Sequence, residues 1–162
     1  MLTFIEVAIP GIPYWDICCD HGYVGIKALR SELFPEVHFV DQVPHIMDRL
    51  QLLIDEAPRP FLRPYYLHLK SGQDIECDLY GNVLVAGVGG LTIRLILEKL
   101  MQEKKLKSQR LLLSPHTDEK VLVNFVESKL FQEQYVFIKK IDIPEGKRTR
   151  PLYVFDQRDI VF

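Results

Sequence analysis

The residues best suited to chemistry lie close together near the start of the chain, in the stretch WDICCDHGYVGIKAL from Trp15 to Leu29. It begins as an apolar strand and ends as a helix, and the turn between carries Cys18, Cys19, Asp20, His21, Gly22 and Tyr23. A turn that holds a pyrophosphate needs bare backbone at a helix N-terminus, hence the spacing G-x-G-x-x-G. Here Gly22 is the only glycine between Asp16 and Val24, and Asp20 would repel a phosphate. The turn suits a ligand that carries positive charge, and the sulfonium and ammonium groups of S-adenosylmethionine meet that requirement. Taken alone, the same residues are about equally well read as a strand-to-helix turn with Asp20 as N-cap.

Three later places add to this. Asp41, followed by Gln42, ends the apolar run VHFVD (37–41), where a carboxylate can accept hydrogen bonds from both hydroxyls of a ribose. Gln73 or Asp74, in LKSGQDIE (69–76), can meet an adenine amine, with an Asx-type turn as the plain alternative. In LVAGVGGLTIRLIL (84–97), Gly87, Gly89 and Gly90 leave a strand end almost without side chains, so a flat ring can approach the main chain. A tight strand-to-helix connection accounts for one of those glycines more readily than for three.

Other signals are weaker. Cys18, Cys19 and Cys77, like His38, His45, His68 and His116, lack the spacing of a metal site, so no metal is expected. No serine or thiol stands where His21 and Asp20 would complete a triad. The basic runs KRTR (147–150) and EKKLK (103–107) are most often solvated surface, although either can touch phosphates.

Strand-like and helix-like segments alternate so as to position these residues. WDICC (15–19), VHFVD (37–41), YYLHLK (65–70), NVLVAGV (82–88) and RLLLS (110–114) read as strands. Between them, helices are expected over GYVGIKALRS (22–31), PHIMDRLQLLID (44–55) and LTIRLILEKLMQ (91–102), and a further one over DEKVLVNFVESKLF (118–131) capped by Thr117. In the second of these, Ile46, Leu50 and Leu53 share a face. Two closing β runs, QYVFIKKIDI (134–143) and PLYVFD (151–156), are joined by PEGKRTR without a helix and so predict an antiparallel hairpin. The sum is an α/β fold: a doubly wound, seven-stranded, mostly parallel sheet with a C-terminal antiparallel hairpin, and a ligand beyond the carboxyl ends of its strands.

Bulk composition narrows the class. The chain has 162 residues, 48% of them hydrophobic, and a net charge of −2, so nucleic acid binding has to use a local basic patch. Three cysteines make no disulfide framework, and the N-terminus lacks a basic leader. No apolar run approaches the ~20 residues of a membrane span. A single cytoplasmic domain over 1–162, with no membrane partner, is expected; the oligomeric state is left open.

DICCDHGY and VLVAGVGGLTIRLIL, in that order, resemble the bacterial tRNA (adenine(22)-N(1))-methyltransferases. These are S-adenosylmethionine-dependent enzymes of the class I Rossmann-like fold. Their first motif has the form D-I-G-x-D-H-G/A-Y and their fourth A-G-M-G-G, matched here at Asp16, Ile17, Asp20, His21, Gly22 and Tyr23 and at Ala86, Gly87, Gly89 and Gly90. The likeness runs from about Trp15 to Asp156. Cys18 stands where the family has glycine, Val88 where it has methionine, and Ser114 and His116 where it has Gln and Asn. A short segment precedes the first strand where the family has a helix, and the family's helical C-terminal extension is not expected within 1–162.

The resemblance implies methyl transfer to N1 of an adenine in tRNA, with S-adenosylmethionine as cofactor. Asp16, Cys18, Asp20, Gly22, Ala86 and Gly87 would line the cofactor, with Asp41 and Gln42 at its ribose and Gln73 or Asp74 at its adenine. Asp20, His21 and Tyr23 would act in catalysis. Tyr23, Gly87, Val88, Gly89 and Gly90 would hold the target base, with Arg94 and KRTR toward the RNA. A small-molecule methyltransferase and a methyltransferase-like binding module without activity stand as alternatives.

Overall fold

The computed structural model describes residues 2–158. Seven strands form its sheet: β1 (Tyr14–Ile17), β2 (Val37–Asp41), β3 (Tyr65–Leu69), β4 (Asn82–Ala86), β5 (Arg110–Ser114), β6 (Tyr135–Glu145) and β7 (Arg148–Gln157). Their order is β3-β2-β1-β4-β5-β7-β6. The first five run parallel, whereas β7 is antiparallel to both β5 and β6. From β1 the chain winds outward to β3 and then crosses back to β4 on the other side. That reversal opens a crevice beyond the carboxyl ends of β1 and β4, the usual place for a ligand in such sheets.

Alternation along each strand divides the core in two. Ile17, Val40, Val83, Val85 and Leu113 face α4 (Gly90–Gln102), α5 (Glu119–Val126) and α6 (Lys129–Gln132). Tyr14, Phe39, Leu84, Leu112 and Val154 face α1 (Leu2–Glu6), α2 (Tyr23–Ser31) and α3 (Pro44–Asp55). β4 is apolar on both faces, as a central parallel strand must be.

The architecture expected from sequence is the one found, with local corrections. β1 stops at Ile17, so Cys18 and Cys19 belong to the turn. α3 buries Met47, Leu50 and Ile54 and leaves Leu53 exposed; helical spacing allows a stripe on either flank of Leu50, and the sheet selects the other one. The helix expected over 118–131 is two helices, α6 being restarted by Ser128, whose hydroxyl accepts from the Phe131 N–H at 3.5 Å. Thr117 is not the cap of α5. Asp118 holds that position with φ 54°, and Thr117 donates its hydroxyl to the Asp118 carboxylate.

The segment before β1 is helical and firmly attached. Asn82, fully buried at the start of β4, accepts from the Ile9 N–H at 2.7 Å and donates to the Ile9 carbonyl at 2.9 Å. The Arg110 guanidinium donates to the Val7 carbonyl at 2.7 Å while gripping Asp156 with two further N–H groups at 2.6 and 2.8 Å.

The hairpin turn is only Gly146 and Lys147, so most of KRTR is strand. Because Leu113 pairs with Tyr153 and β5 ends one residue later at Ser114, residues 148–151 of β7 run past the end of β5. At about 3.4 Å per residue the hairpin overhangs the crevice by roughly 14 Å. The Ser114 hydroxyl, donating to the Pro151 carbonyl at 2.8 Å, fixes the base of this overhang. No described helix is long and apolar enough to cross a membrane.

Candidate active site

The turn after β1 is built from left-handed backbone. Cys18 has φ 60°, Asp20 φ 48° and Gly22 φ 69°. Non-glycine residues resist this conformation, so hydrogen bonds must hold it. The Cys19 N–H donates to the Val40 carbonyl at 3.1 Å, and the Asp20 N–H to Asp41 Oδ2 at 3.0 Å. Asp41 Oδ1 accepts from the Val43 N–H at 3.0 Å. One carboxylate thus ties the β1–α2 turn to the β2–α3 turn. Asp20 is not the cap of α2: Gly22 occupies that position without a side-chain bond, and a Cβ there would lie 2.6 Å from Leu50.

Two cavities open beside this turn. The hairpin-side cavity, about 450 Å³, is bounded by the turn itself, by Ala86 and Gly87 at the end of β4, and by His116 and the tip of the β6–β7 hairpin. The β2-side cavity, about 330 Å³, lies between Asp41, Gln42 and Ser71–Gln73 and the start of α4. Both volumes fall in the ~300–1,000 Å³ range of small-ligand sites. Cys18 lines both cavities and divides them.

The electrostatics of the turn are set by carboxylates. Asp16, only 4% exposed, accepts from the Gly25 N–H at 2.8 Å. Burial, aided by the charge of Asp41, pushes its carboxyl up to about 7 despite that hydrogen bond. Burial and the charges of Asp41 and Asp16 push the Cys18 thiol up to about 12, so it stays protonated and is no nucleophile. Asp20 is open to the cavity, its side chain 65% exposed with His21 Nε2 3.8 Å from its carboxylate. The His21 and Tyr23 rings lie 5.6 Å apart, tilted by 49°.

Most residues expected from sequence meet here. Asp16, Asp20, His21, Tyr23, Ala86 and Gly87 line the hairpin-side cavity, and Asp41, Gln42, Gln73 and Val88 the β2-side cavity. Others do not. Gly22 lines neither, and Asp74 is exposed away from both, leaving Gln73 as the polar side chain of that pair. The glycines divide by role. A Cβ on Gly87, at φ 80°, would meet only the Cys18 carbonyl oxygen, at an ordinary 3.8 Å, but a Cβ on Gly89 would lie 2.7 Å from Thr117 Oγ1, and one on Gly90 2.2 Å from the Asp118 carbonyl. Gly89 and Gly90 therefore serve the approach of α4 to the β5–α5 connection, not the admission of a ring.

The basic candidates separate in the same way. Arg94, on α4, lies 3.4 Å from Glu98 and lines neither cavity. EKKLK is largely engaged in ion pairs, Lys105 with Glu103 and Lys107 with Asp78, each at 2.6 Å. Lys147 and Arg148 are exposed at the hairpin tip, while Arg150 pairs with Glu145 inside the cavity wall. The wall residues Phe4, Ile143 and Glu145 were not expected, whereas His116, just after β5, lies among the strand-end positions where a ligand is expected. Among the described residues no cluster of His, Cys, Asp or Glu has the geometry of a metal site.

The chain matches the methyltransferase domain family over residues 2–148. No curated protein matches it in sequence. Among solved structures, the M1A22 tRNA methyltransferase TrmK of B. subtilis is similar at TM-score 0.77 and 19% identity, over 98% of this chain and 65% of that one. TrmK of M. capricolum, in complex with S-adenosyl-homocysteine, gives TM-score 0.77 and 15% identity over 98% and 67%. SMU.1697c of Streptococcus mutans, a putative methyltransferase with the same ligand, gives TM-score 0.68 and 12% identity over 96% and 94%. The chain thus spans about 65% of the length of the B. subtilis protein, and at these identities the likeness is one of fold.

Proposed function

This chain belongs to the methyltransferase domain family, and on that premise we propose that it is an S-adenosylmethionine-dependent methyltransferase acting on N1 of an adenine in tRNA. The observation that carries the reading is the pair of cavities meeting at Cys18, with Asp41 on one side and Asp20 on the other. The donor set fits the cofactor. Asp41 retains lone pairs for ribose hydroxyls beyond its two backbone bonds, and Gln73 offers an amide to adenine at the far end of the β2-side cavity. Asp16 and Asp20 supply negative potential where an ammonium and a sulfonium would lie. When bound, S-adenosylmethionine supplies an electrophilic methyl group.

The chain's own task is alignment. The N1 lone pair of adenine is free, so no general base is needed. It forms the new N–C bond while the S–C electron pair stays with sulfur, and no proton moves. Positive charge migrates from sulfur to the base, and Asp20, facing the hairpin-side cavity, stabilises that charge on its new carrier. His21 lies beside the Asp20 carboxylate at 3.8 Å, close enough to act on it by charge when protonated but not to hydrogen-bond it, and Tyr23, 56% exposed, stacks on the entering base. Gly87, without a side chain in the cavity lining, leaves room for that base beside the end of β4. N1 lies on the Watson–Crick edge, so the adenine must be unpaired or swung out to react. Lys147 and Arg148, exposed at the hairpin tip, lie near the mouth and are the cations for the flanking phosphates.

The test pairs two measurements. Calorimetry with S-adenosylhomocysteine should give binding, and mass spectrometry of nucleosides from tRNA incubated with S-adenosylmethionine should give 1-methyladenosine. Binding without transfer to tRNA would favour a small-molecule acceptor or an inactive binding module. No binding would overturn the cofactor assignment.

A further inference from the structure

The overhang of the hairpin brings into the acceptor cavity a set of side chains that no strand end supplies. Glu145 comes from the last position of β6, Arg150 from β7 and His116 from the β5–α5 connection. Arg150 donates to Glu145 Oε2, which fixes the direction of the carboxylate, while Glu145 Oε1 has no donor among the described residues. The backbone N–H of His116 donates to the Val88 carbonyl at 2.9 Å, which ties the β5–α5 connection to the glycine-rich loop. Ile143 and Phe4 give the same cavity apolar walls. Of the cavity's three carboxylates, Asp16, Asp20 and Glu145, only Glu145 is paired with an arginine, and an oriented acceptor in a mostly apolar recess is how proteins read a polar edge of a flat ligand.

We propose that Glu145, aimed by Arg150, accepts a hydrogen bond from the exocyclic amine of the acceptor base, which makes the cavity selective for an amino over an oxo ring edge. This deepens the reading of the chain as an adenine-N1 methyltransferase and rests on it. The chemistry is that of an amidine. In adenine the amine sits on the carbon next to N1, so a base whose N1 faces the methyl donor carries its amine alongside. As N1 takes the methyl group, positive charge spreads through that carbon onto the amine. A carboxylate bonded to the amine is therefore bound more tightly in the transition state than in the ground state, which raises kcat. An oxo purine fails twice: its carbonyl oxygen faces a carboxylate, and its N1 carries a proton instead of a lone pair.

His116 supports the arrangement. Burial and the neighbouring Arg150 charge lower its pKa, against the pull of Glu145. Its imidazole is thus kept neutral beside the base and adds no competing cation where positive charge must grow.

The experiment compares two transcripts of one tRNA, identical except at the methylated nucleotide, which is adenosine in one and purine riboside, lacking the amine, in the other. Wild type, Glu145→Gln and Glu145→Ala are assayed on each, with S-adenosylhomocysteine affinity as the check on folding. Wild type should prefer the adenosine transcript in kcat/KM by about 10- to 100-fold, the scale of one hydrogen bond to a charged group. Glu145→Ala should shrink that preference to the part set by the greater nucleophilicity of an amino-substituted ring, through slower turnover of the adenosine transcript, with Glu145→Gln between. A preference undiminished in both variants, or an equal fall on both transcripts, overturns the assignment of Glu145 and leaves the enzyme reading intact. A wild type that binds S-adenosylhomocysteine and methylates neither transcript overturns both.

Discussion

The two cavities share Cys18 but are made of different material. The β2-side cavity is formed by the ends of parallel strands and by the turns that follow them, so that Asp41 and Gln73 sit where the fold always places ligand-binding groups. The hairpin-side cavity is assembled from pieces far apart in the chain: Phe4, the β1 turn, His116 and the overhanging hairpin. The first is generic to the architecture and suited to a common cofactor. The second depends on long-range contacts and, on the proposed reading, would hold the acceptor and the cationic end of the cofactor beside Asp16 and Asp20. Mutations on the two sides should therefore separate turnover from cofactor affinity.

The largest separation is expected at Asp20. Asp20→Asn keeps the shape, and Asn tolerates the left-handed backbone that Asp20 adopts at φ 48°. It should lower kcat on tRNA by on the order of 10²-fold or more, the scale of one lost electrostatic contact, with little change in S-adenosylhomocysteine affinity. Equal kcat for variant and wild type would reduce Asp20 to a turn residue.

Asp41→Asn should act on the other side. The loss of a charged acceptor at the ribose should weaken S-adenosylhomocysteine binding by roughly 1.5–3 kcal/mol, as read by calorimetry. Unchanged affinity would remove Asp41 from the cofactor and leave it only its two backbone bonds.

Asp16 sharpens the comparison through pH. Its carboxyl is raised to about 7, so it is protonated below that pH and ionised above it. A cationic ligand group beside it favours the ionised form. Affinity should then fall as pH drops through 7, by about tenfold over one unit once the group is protonated. Calorimetry from pH 6 to 8 should find this slope in wild type and a flatter one in Asp16→Asn.

The smallest effect is a gain. Cys18→Gly removes a side chain from left-handed backbone at φ 60° and opens the partition between the cavities. S-adenosylhomocysteine should bind a few-fold tighter, a change of under ~1 kcal/mol. Weaker binding would mean that the thiol contacts the ligand instead of merely dividing its site.

These differences also govern what the sequence discloses. Strand–helix alternation determines the sheet, and residues just after β1, β2 and β4 are legible as site residues because the fold exposes those positions. Glu145 and Phe4 were not legible. Glu145 reaches the cavity only because Leu113 pairs with Tyr153, a register that no local pattern specifies. The glycines after β4 are a subtler case. Three within four positions read as room for a ring, yet only Gly87 has no close neighbour where a Cβ would point, since the proximity of Thr117 and Asp118 to Gly89 and Gly90 is a tertiary fact.

The attachment of the N-terminal segment bears on the order in which this molecule assembles. Ile9 is held by Asn82, 73 positions later, and Val7 by Arg110, 103 positions later. Closing loops of that length is slow compared with forming a helix or a hairpin. On a ribosome the first residues to emerge must wait until β4 and β5 have been synthesised. Phe4 therefore takes its place against the acceptor pocket late. The wall that Phe4 gives the hairpin-side cavity closes after the parallel strand ends that form the β2-side cavity are in place.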